Sequence, residues 1–306
     1  MLGVVGKAPE SGSFDATLAE WRYSLRAEGL SPRTIGQYGG EAMGAFRRLL
    51  GEEPATVGRA DVRRALLELM ESRSRRTASN YGQAWRKLFR WLVAEGMIGV
   101  DPMEGVKLPQ PELPDVAVIP DEAIEAMLRT THGGKGTFED VRDFAIMRVL
   151  LSGGPRAAEV RGMRPGDVNL DAGEIAVVGK GRKRRAVPLS DKACVALARY
   201  LRVRGRSPYA ASSDALWLTR WGALTKQGLE KMLQRRARQA GLDESLTTPH
   251  KWRHTVASAW LEAGGREGDL MRVMGWSERK MLDRYGRFTA GRRAMLAHRA
   301  LKHDKW

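Results

Sequence analysis

Side chains that could hold a phosphate group and attack it are spread through the second half of the chain. Guanidinium and ammonium groups neutralise phosphate oxygens, and a tyrosine hydroxyl becomes a nucleophile when a neighbouring base or positive charge activates it. The candidates for such a site are Arg156, Lys180, His250, Arg253, Trp276 and Tyr285. Taken singly, each has an ordinary structural explanation, because most arginines are solvated and most helical aromatic residues pack in a core. Their order and spacing are therefore more informative than their types.

Each candidate lies in a short segment with its own local signals. Arg156 follows the glycine-rich turn SGGP and precedes Glu159 by three residues. Lys180 lies in the sequence VGKGRKRRAVPL, where apolar segments on either side of a basic turn predict a β-hairpin. The cap signal TP begins a helix that contains the pattern H-x-x-R, and Trp276 stands nine residues before the tyrosine.

In combination, these segments resemble the tyrosine recombinase (phage integrase) family. Its members carry a glycine-arginine-x-x-glutamate box, a hairpin lysine, H-x-x-R, a His or Trp after a glycine, and a tyrosine, in this order. The steps of 24 residues from Arg156 to Lys180 and of nine from Trp276 to Tyr285 are similar to the family's spacing. Two departures are present: GGPR replaces the usual T-G-x-R, and Trp276 stands where histidine is commonest.

The resemblance implies a site-specific DNA recombinase of the integrase type, from a phage or another mobile element. Tyr285 would form a 3′-phosphotyrosyl bond, and Arg156 and Arg253 would neutralise the non-bridging oxygens of the phosphate. Glu159 would orient the arginines, although a helix salt bridge explains it nearly as well. Because the covalent bond conserves the energy of the broken phosphodiester, we expect neither a metal nor a nucleotide cofactor. The sequence also lacks a P-loop, an H-E-x-x-H motif and a dinucleotide fingerprint.

The same resemblance assigns the proton transfers. His250 would take or share the proton of the tyrosine, and the register of H-x-x-R favours it over His254. Lys180 would protonate the departing 5′ oxygen, with Lys183 as its rival in the same turn. The indole of Trp276 can donate one hydrogen bond to a phosphate oxygen, but it cannot shuttle a proton.

The composition agrees with a protein that binds a polyanion. The 306 residues include 52 Lys and Arg against 36 Asp and Glu, which gives a formal net charge of +16. Residues 1–110 hold 16 basic and 13 acidic side chains, so most of the excess lies in 111–306. A folded region with this charge attracts phosphate backbones, although net charge also serves solubility. Cys194 is the only cysteine, which excludes an intramolecular disulfide and a cysteine-cluster zinc site.

We predict a mainly α-helical protein of two domains. Residues 14–107 should form a four-helix DNA-clamping (core-binding) bundle, preceded by a tail at 1–13. The proline-rich segment 108–120 predicts an interdomain linker. Residues 121–306 should form a mostly helical catalytic domain with a small antiparallel β-sheet and a basic C-terminal helix. The chain is accordingly interpreted as a minimal two-domain recombinase.

Double-stranded DNA with an inverted-repeat core site is the expected partner. The resemblance implies a monomer that assembles into a homotetramer in the synapse, with a directionality factor as a further candidate partner. Since the sequence has no apolar run of about 18 residues and no secretory signal, we expect a cytoplasmic protein on nucleoid DNA. The basic side chains expected to contact DNA are Arg76, Arg86, Lys87, Arg90, Arg182 and Lys183.

Alternative functions share much of this pattern. Dimer or multimer resolvases and transposon recombinases belong to the same family as integrases. A type IB topoisomerase uses the same groups but reseals the original strand, and a DNA-binding regulator would keep the scaffold without the reaction. The proline-rich linker and helical front domain favour recombination over the topoisomerase, and the presence of all six candidate side chains argues against the regulator.

Overall fold

The computed structural model describes three stretches of the chain and four single residues. These are residues 13–111, 117–179 and 184–282, with Tyr285, Ala294, Met295 and His298. The predicted sites at Lys180, Arg182 and Lys183 lie outside the described residues, as do most residues of the expected C-terminal helix. The chain divides into two compact units, Met1–Leu113 and Pro114–Trp306.

The described part of the first unit is an all-helical bundle. Its α-helices are α1 (Phe14–Ala27), α2 (Pro32–Gly39), α3 (Glu41–Leu50), α4 (Arg59–Ser72) and α5 (Arg75–Ala94). Hydroxyl groups of Ser13, Ser31 and Ser74 accept hydrogen bonds from backbone amides at the starts of α1, α2 and α5. The second helix predicted from the sequence is interrupted at Gly40 (φ −100°, ψ −108°), so α2 and α3 occupy its place. Five helices therefore stand where four were expected.

Aromatic rings fill the core of the first unit. Trp21, Phe46, Trp85 and Phe89 are fully buried. The indole nitrogen of Trp85 donates to the carbonyl oxygen of Ala42 at 2.8 Å and so ties α5 to α3. Burial of such large rings makes their packing a major stabilising contribution in this unit.

The described part of the second unit combines helices with two small antiparallel sheets. Its helices are α6 (Asp121–Arg129), α7 (Phe138–Gly153), α8 (Ala157–Gly162), α9 (Asp191–Arg204), α10 (Lys226–Gln239), α11 (Pro249–Glu262) and α12 (Glu267–Met274). The larger sheet has the order β1-β2-β3, with β1 (Val168–Asn169), β2 (Glu174–Val178) and β3 (Arg184–Pro188). The smaller sheet pairs β4 (Leu218–Thr219) with β5 (Gly222–Ala223). Residues 280–282 and Tyr285 are also helical.

The hairpin of β2 and β3 confirms the strand pair predicted around the basic turn. Ile175 pairs with Val187 and Val177 pairs with Arg185. Ile175, Val177 and Val187 are buried, so this face of the hairpin packs on the helices. Arg185 shares the inward face, because alternate residues of a strand point to the same side.

Helix α7 runs through the core of the second unit and carries buried charges. Asp143 is fully buried, and its carboxylate lies 2.7 Å from Arg142, 2.5 Å from Arg235 and 2.8 Å from Arg236. Buried charges are tolerated when they are paired and hydrogen-bonded. These pairs fix α7 against α10.

A separate apolar cluster lies near the end of the described chain. It is built on α11 and α12, and it includes Trp276, Leu282 and Tyr285. The two aromatic candidates are thus packed together with the helix that carries H-x-x-R. Among the described helices, none has the length and apolar character needed to cross a membrane.

Candidate active site

A left-handed turn places Arg156 at the start of α8. Helix α7 ends at Gly153, and Gly154 has φ 54° and ψ 47°. A side chain at position 154 would be strained by this φ, and its Cβ would lie 3.0 Å from the methyl carbon of Met274. The backbone amide of Arg156 then donates to the carboxylate of Glu159 at 2.7 Å. The unusual GGPR sequence therefore keeps the turn that the site requires.

The carboxylate of Glu159 holds two arginines in the site. It is 2% exposed, and it lies 2.9 Å from the guanidinium of Arg156 and 2.7 Å from that of Arg185. Burial alone would raise the pKa of this carboxyl group. The hydrogen bonds from Arg185 and from the Arg156 amide, together with both positive charges, outweigh burial and lower the pKa below its ordinary value. Glu159 is therefore ionised at neutral pH.

The C-terminal end of α12 supplies three successive carbonyl groups to the arginines. Arg185 donates to the carbonyl oxygen of Val273, and Arg253 donates to that of Met274. Arg156 donates to the carbonyl oxygen of Gly275 at 2.8 Å. Carbonyls at a helix C-terminus lack partners within the helix and form its negative end, so cations are stabilised there. The helix end thus fixes the positions of all three guanidinium groups.

Gly275 allows the arginines to approach this helix end. It has φ 60°, and a Cβ at this position would lie 2.8 Å from the side chain of Arg185 and 3.4 Å from that of Arg156. A larger residue would meet both side chains and adopt a strained backbone conformation. The glycine before Trp276 is therefore part of the architecture of the arginine cluster.

Arg253 is the most buried of these three arginines. It is 4% exposed, and its guanidinium also donates to the carbonyl oxygen of Gly154 at 2.6 Å. Burial, together with the positive charge of Arg156, lowers the pKa of Arg253 to about 10. A group with this pKa is still protonated at neutral pH. Arg253 can therefore act as a fixed, buried positive charge in the site.

Tyr285 lies between an indole and an imidazole. Its ring stacks on Trp276 with ring centres 5.2 Å apart and an angle of 25° between the planes. Its hydroxyl group is in hydrogen-bonding contact with Nδ1 of His254. The guanidinium carbon of Arg253 lies 5.5 Å from the centre of the Trp276 ring, which brings the tyrosine into the arginine cluster. Tyr285 is 1% exposed.

The two histidines of α11 are in direct ring contact. His250 and His254 stand one helical turn apart, and their ring centres are 4.0 Å apart in an edge-to-face arrangement. His250 is exposed, whereas His254 is partly buried against the tyrosine. The predicted His250 therefore reaches the tyrosine region beside a second histidine, which the H-x-x-R register did not select.

The structure brings together five of the six predicted catalytic positions with Glu159. The exception is Lys180, which lies outside the described residues. Arg185 was not predicted from the sequence as a member of the site, and His254 was set aside in favour of His250. For Arg185 a signal was available, because a charged residue on the inward face of a strand requires a buried partner. For His254 the signal was its helical spacing from His250.

The predicted DNA-contacting residues of α5 divide into two pairs. Arg86 donates to the carbonyl oxygen of Val106 at 2.5 Å, and Lys87 lies 2.6 Å from the carboxylate of Glu28. These two side chains stabilise the first unit itself. Arg76 and Arg90 are exposed. Among the described residues of the whole chain, no group of three or more His, Cys, Asp or Glu side chains could hold a metal ion.

The sequence of this chain is similar to those of known proteins. Residues 118–292 match the phage integrase family. The tyrosine recombinase XerC of Neisseria gonorrhoeae is 33% identical over 274 residues, which cover 86% of this chain and 87% of that protein.

Two solved structures have a similar fold at low sequence identity. The XerH site-specific recombinase bound to palindromic difH substrate has a TM-score of 0.73 at 19% identity, covering 94% of this chain and 85% of that one. A λ integrase tetramer bound to a Holliday junction has a TM-score of 0.67 at 15% identity, covering 88% and 78%. With the match to the family and to XerC, the chain belongs to the phage integrase family and is a tyrosine site-specific recombinase.

Proposed function

We propose that this recombinase cuts and rejoins DNA through a 3′-phosphotyrosyl intermediate on Tyr285. The observation that carries the proposal is the position of the tyrosine beside the arginine cluster. Arg156, Arg185 and Arg253 bring three positive charges, of which Glu159 compensates one. Uncompensated buried charge is costly, and a phosphodiester bound beside Tyr285 would offset it.

The arrangement supports an in-line displacement at phosphorus. Arg156 and Arg253 stabilise the two non-bridging oxygens, because guanidinium groups are permanently charged and donate in a fork. Their carbonyl anchors keep them in place before the substrate arrives, so little reorganisation is needed during the reaction. The oxygen of Tyr285 bonds to phosphorus as the bond to the 5′ oxygen breaks. Lys180 is proposed to protonate that leaving oxygen.

The phosphotyrosyl bond makes the reaction reversible. A 5′ hydroxyl group from a partner duplex can attack it and restore a phosphodiester, so no nucleotide is consumed. The fixed arginine charges take the electrostatic role that a divalent cation has in many other phosphoryl transfers. We therefore expect strand exchange to proceed in EDTA without added nucleotide.

A polar groove in the first unit is the proposed place of base recognition. Helices α2 and α5 border this groove of about 610 Å³, and its lining includes the exposed side chains of Arg33, Gln37, Asn80 and Gln83. Arginine pairs with guanine, and asparagine and glutamine pair with adenine, at base edges in the major groove. These residue types in one groove favour sequence-specific contacts over simple phosphate binding.

The proposed substrate is a pair of DNA sites, each made of inverted half-sites, brought together by a homotetramer. This follows the palindromic substrate of the XerH complex and the λ integrase tetramer on a Holliday junction. The integrase role predicted from the sequence stays a prediction, beside the resolvase and transposon roles. Plasmids with two sites on one molecule, compared with single sites on two molecules, separate resolution from integration.

Covalent adduct trapping tests the proposal directly. Cells that carry the DNA encoding this recombinase, with its flanking sequence, are lysed in denaturant. The DNA is digested, and the fragments covalently bound to the recombinase are sequenced. We expect adducts at one or a few inverted-repeat sites, with the attachment lost in Tyr285→Phe. Adducts that persist in this variant would refute the role of Tyr285. Adducts scattered without a preferred site would favour a topoisomerase.

A further inference from the structure

An imidazole nitrogen of His254 contacts the hydroxyl group of Tyr285, the proposed nucleophile. Nδ1 of His254 and the Tyr285 hydroxyl are in hydrogen-bonding contact, with ring centres 5.2 Å apart and an angle of 50° between the planes. The tyrosine is 1% exposed, so bulk water has little access to its proton. The proton must therefore pass to a group within the site when the oxygen attacks phosphorus.

The arginine cluster fixes the position of His254. Arg253 precedes it directly on α11 and donates to the carbonyl oxygens of Gly154 and Met274. These bonds hold the first turns of α11 against the ends of α7 and α12. His254 is consequently held beside the tyrosine by the same contacts that hold the phosphate-binding guanidinium group.

The neighbouring His250 is placed differently. It lies one turn earlier on α11, its side chain is exposed, and its ring meets that of His254 at 4.0 Å between centres. Two positively charged imidazoles at this separation would repel each other. The ring in contact with the tyrosine hydroxyl is the better placed of the two to receive the proton of the tyrosine.

We propose that His254 is the catalytic base that accepts the proton of Tyr285 during strand cleavage. The inference rests on the proposed phosphotyrosyl chemistry. The bond between the tyrosine oxygen and phosphorus forms, the bond from phosphorus to the 5′ oxygen breaks, and the phenol proton moves to Nδ1 of His254. The 5′ oxygen receives its proton from a separate acid, for which Lys180 is proposed. In rejoining, His254 returns its proton to the tyrosine oxygen as that oxygen leaves phosphorus.

This step requires a particular tautomer. Nδ1 can accept the proton only if the neutral ring carries its hydrogen on Nε2. An asparagine at position 254 can place its amide group where Nδ1 of the histidine lies. It can thus keep a hydrogen bond to the tyrosine, but it cannot take a proton. His254→Asn therefore separates proton transfer from simple positioning.

Single-turnover cleavage of a nicked recombination site measures the step, because loss of the short fragment traps the covalent adduct. We expect His254→Asn to slow adduct formation by about 100-fold, within the usual range for loss of a general base. DNA affinity and melting temperature should stay at the wild-type values. His250→Asn is the matched comparison and should have a smaller effect. Adduct formation by His254→Asn at the wild-type rate would overturn the proposal.

Replacement of Tyr285 by 3,5-difluorotyrosine gives a second readout that a merely structural role would not affect. The fluorinated phenol is more acidic and depends less on a base. We expect it to restore much of the cleavage rate in His254→Asn and little in His250→Asn. Equal rescue in both backgrounds, or rescue in His250→Asn alone, would overturn the assignment to His254. A wild-type protein that forms no adduct on Tyr285 would instead refute the proposed function itself.

Discussion

The guanidinium of Arg185 lies 2.7 Å from the carboxylate of Glu159, and this contact joins the hairpin to the turn that carries Arg156. Arg185 lies on β3, the strand that follows the basic turn with Lys180, the predicted general acid. It also donates to the carbonyl oxygen of Val273 at the end of α12. Arg185 is therefore a positioning residue that links the hairpin, the glycine turn and the helix end.

Removal of Arg185 should destabilise the second unit and slow cleavage. In Arg185→Ala the buried Glu159 loses one of its two charged partners, which should reduce the free energy of unfolding by about 3 kcal/mol. Arg184→Ala is the matched control, because Arg184 is 74% exposed on the same strand and lies 3.7 Å from Asp167. Its effect should stay within about 0.5 kcal/mol. Urea denaturation of both variants, with cleavage rates, checks this, and equal losses would contradict the role of Arg185.

The ionisation of Glu159 should make the second unit sensitive to acid. The pKa of this carboxyl group is lower in the folded than in the unfolded state. The ionised carboxylate therefore contributes stability at pH values above the pKa of the unfolded state, which is about 4.3. That contribution is lost as the pH falls through the lowered folded pKa. Glu159→Gln should therefore be less stable than the wild type at neutral pH and should lose less stability between pH 5 and about pH 3.

Denaturant unfolding at several pH values measures the effect of Glu159→Gln. The control is Glu125→Gln, which replaces an exposed carboxylate on α6 (72% exposed). This control should follow the wild-type pH dependence. A Glu159→Gln curve parallel to the wild type down to pH 3 would show that Glu159 is not the acid-sensitive group.

The parts of the site predicted from sequence are those with a local signature. The glycine turn before Arg156, the cap of α11 and the alternating strands of the hairpin each follow from a few adjacent residues. Two of these segments, the glycine turn and α11, carry predicted site residues that meet in the structure, and the hairpin contributes Arg185 to the same cluster. The interruption at Gly40 was missed because the apolar spacing continues on both sides of it.

The remaining contacts depend on how distant elements pack. The carbonyl oxygens of Val273 and Met274 anchor two arginines, but a backbone carbonyl has no residue-type signature in a sequence. The contact of His254 with Tyr285 depends on the rotation of α11 relative to the segment after α12. Hydrophobic spacing determines that rotation too coarsely to choose between two histidines one turn apart.

Base recognition by the first unit should depend on the groove of α2 and α5. Asn80→Ala removes an exposed amide that can pair with an adenine edge, and it should reduce discrimination at one base pair by about 1–3 kcal/mol. Arg90→Ala is the comparison. Loss of an exposed arginine that contacts a phosphate should weaken binding to all sequences equally and reduce the salt dependence of binding. Binding to a set of single-base site variants at two salt concentrations checks both. Uniform weakening by Asn80→Ala would place base recognition elsewhere.

Trp276 combines a stacking surface for Tyr285 with a hydrogen-bond donor, and two substitutions separate these roles. Trp276→Phe keeps an aromatic ring but removes the donor, whereas Trp276→His keeps an N–H donor on a smaller ring. If the donor holds a phosphate oxygen in the transition state, Trp276→Phe should lose about 100-fold in cleavage rate and Trp276→His should lose less.

Trp221→Phe is the matched control for these variants, because Trp221 is 79% exposed in the turn between β4 and β5. It should cleave at the wild-type rate. Single-turnover adduct formation at equal DNA saturation gives the comparison, with melting temperatures to confirm folding. If Trp276→Phe cleaves faster than Trp276→His, the role of the tryptophan is stacking alone. In that case the ring would serve to hold the nucleophile against His254, and the phosphate would depend on the arginine cluster for its donors.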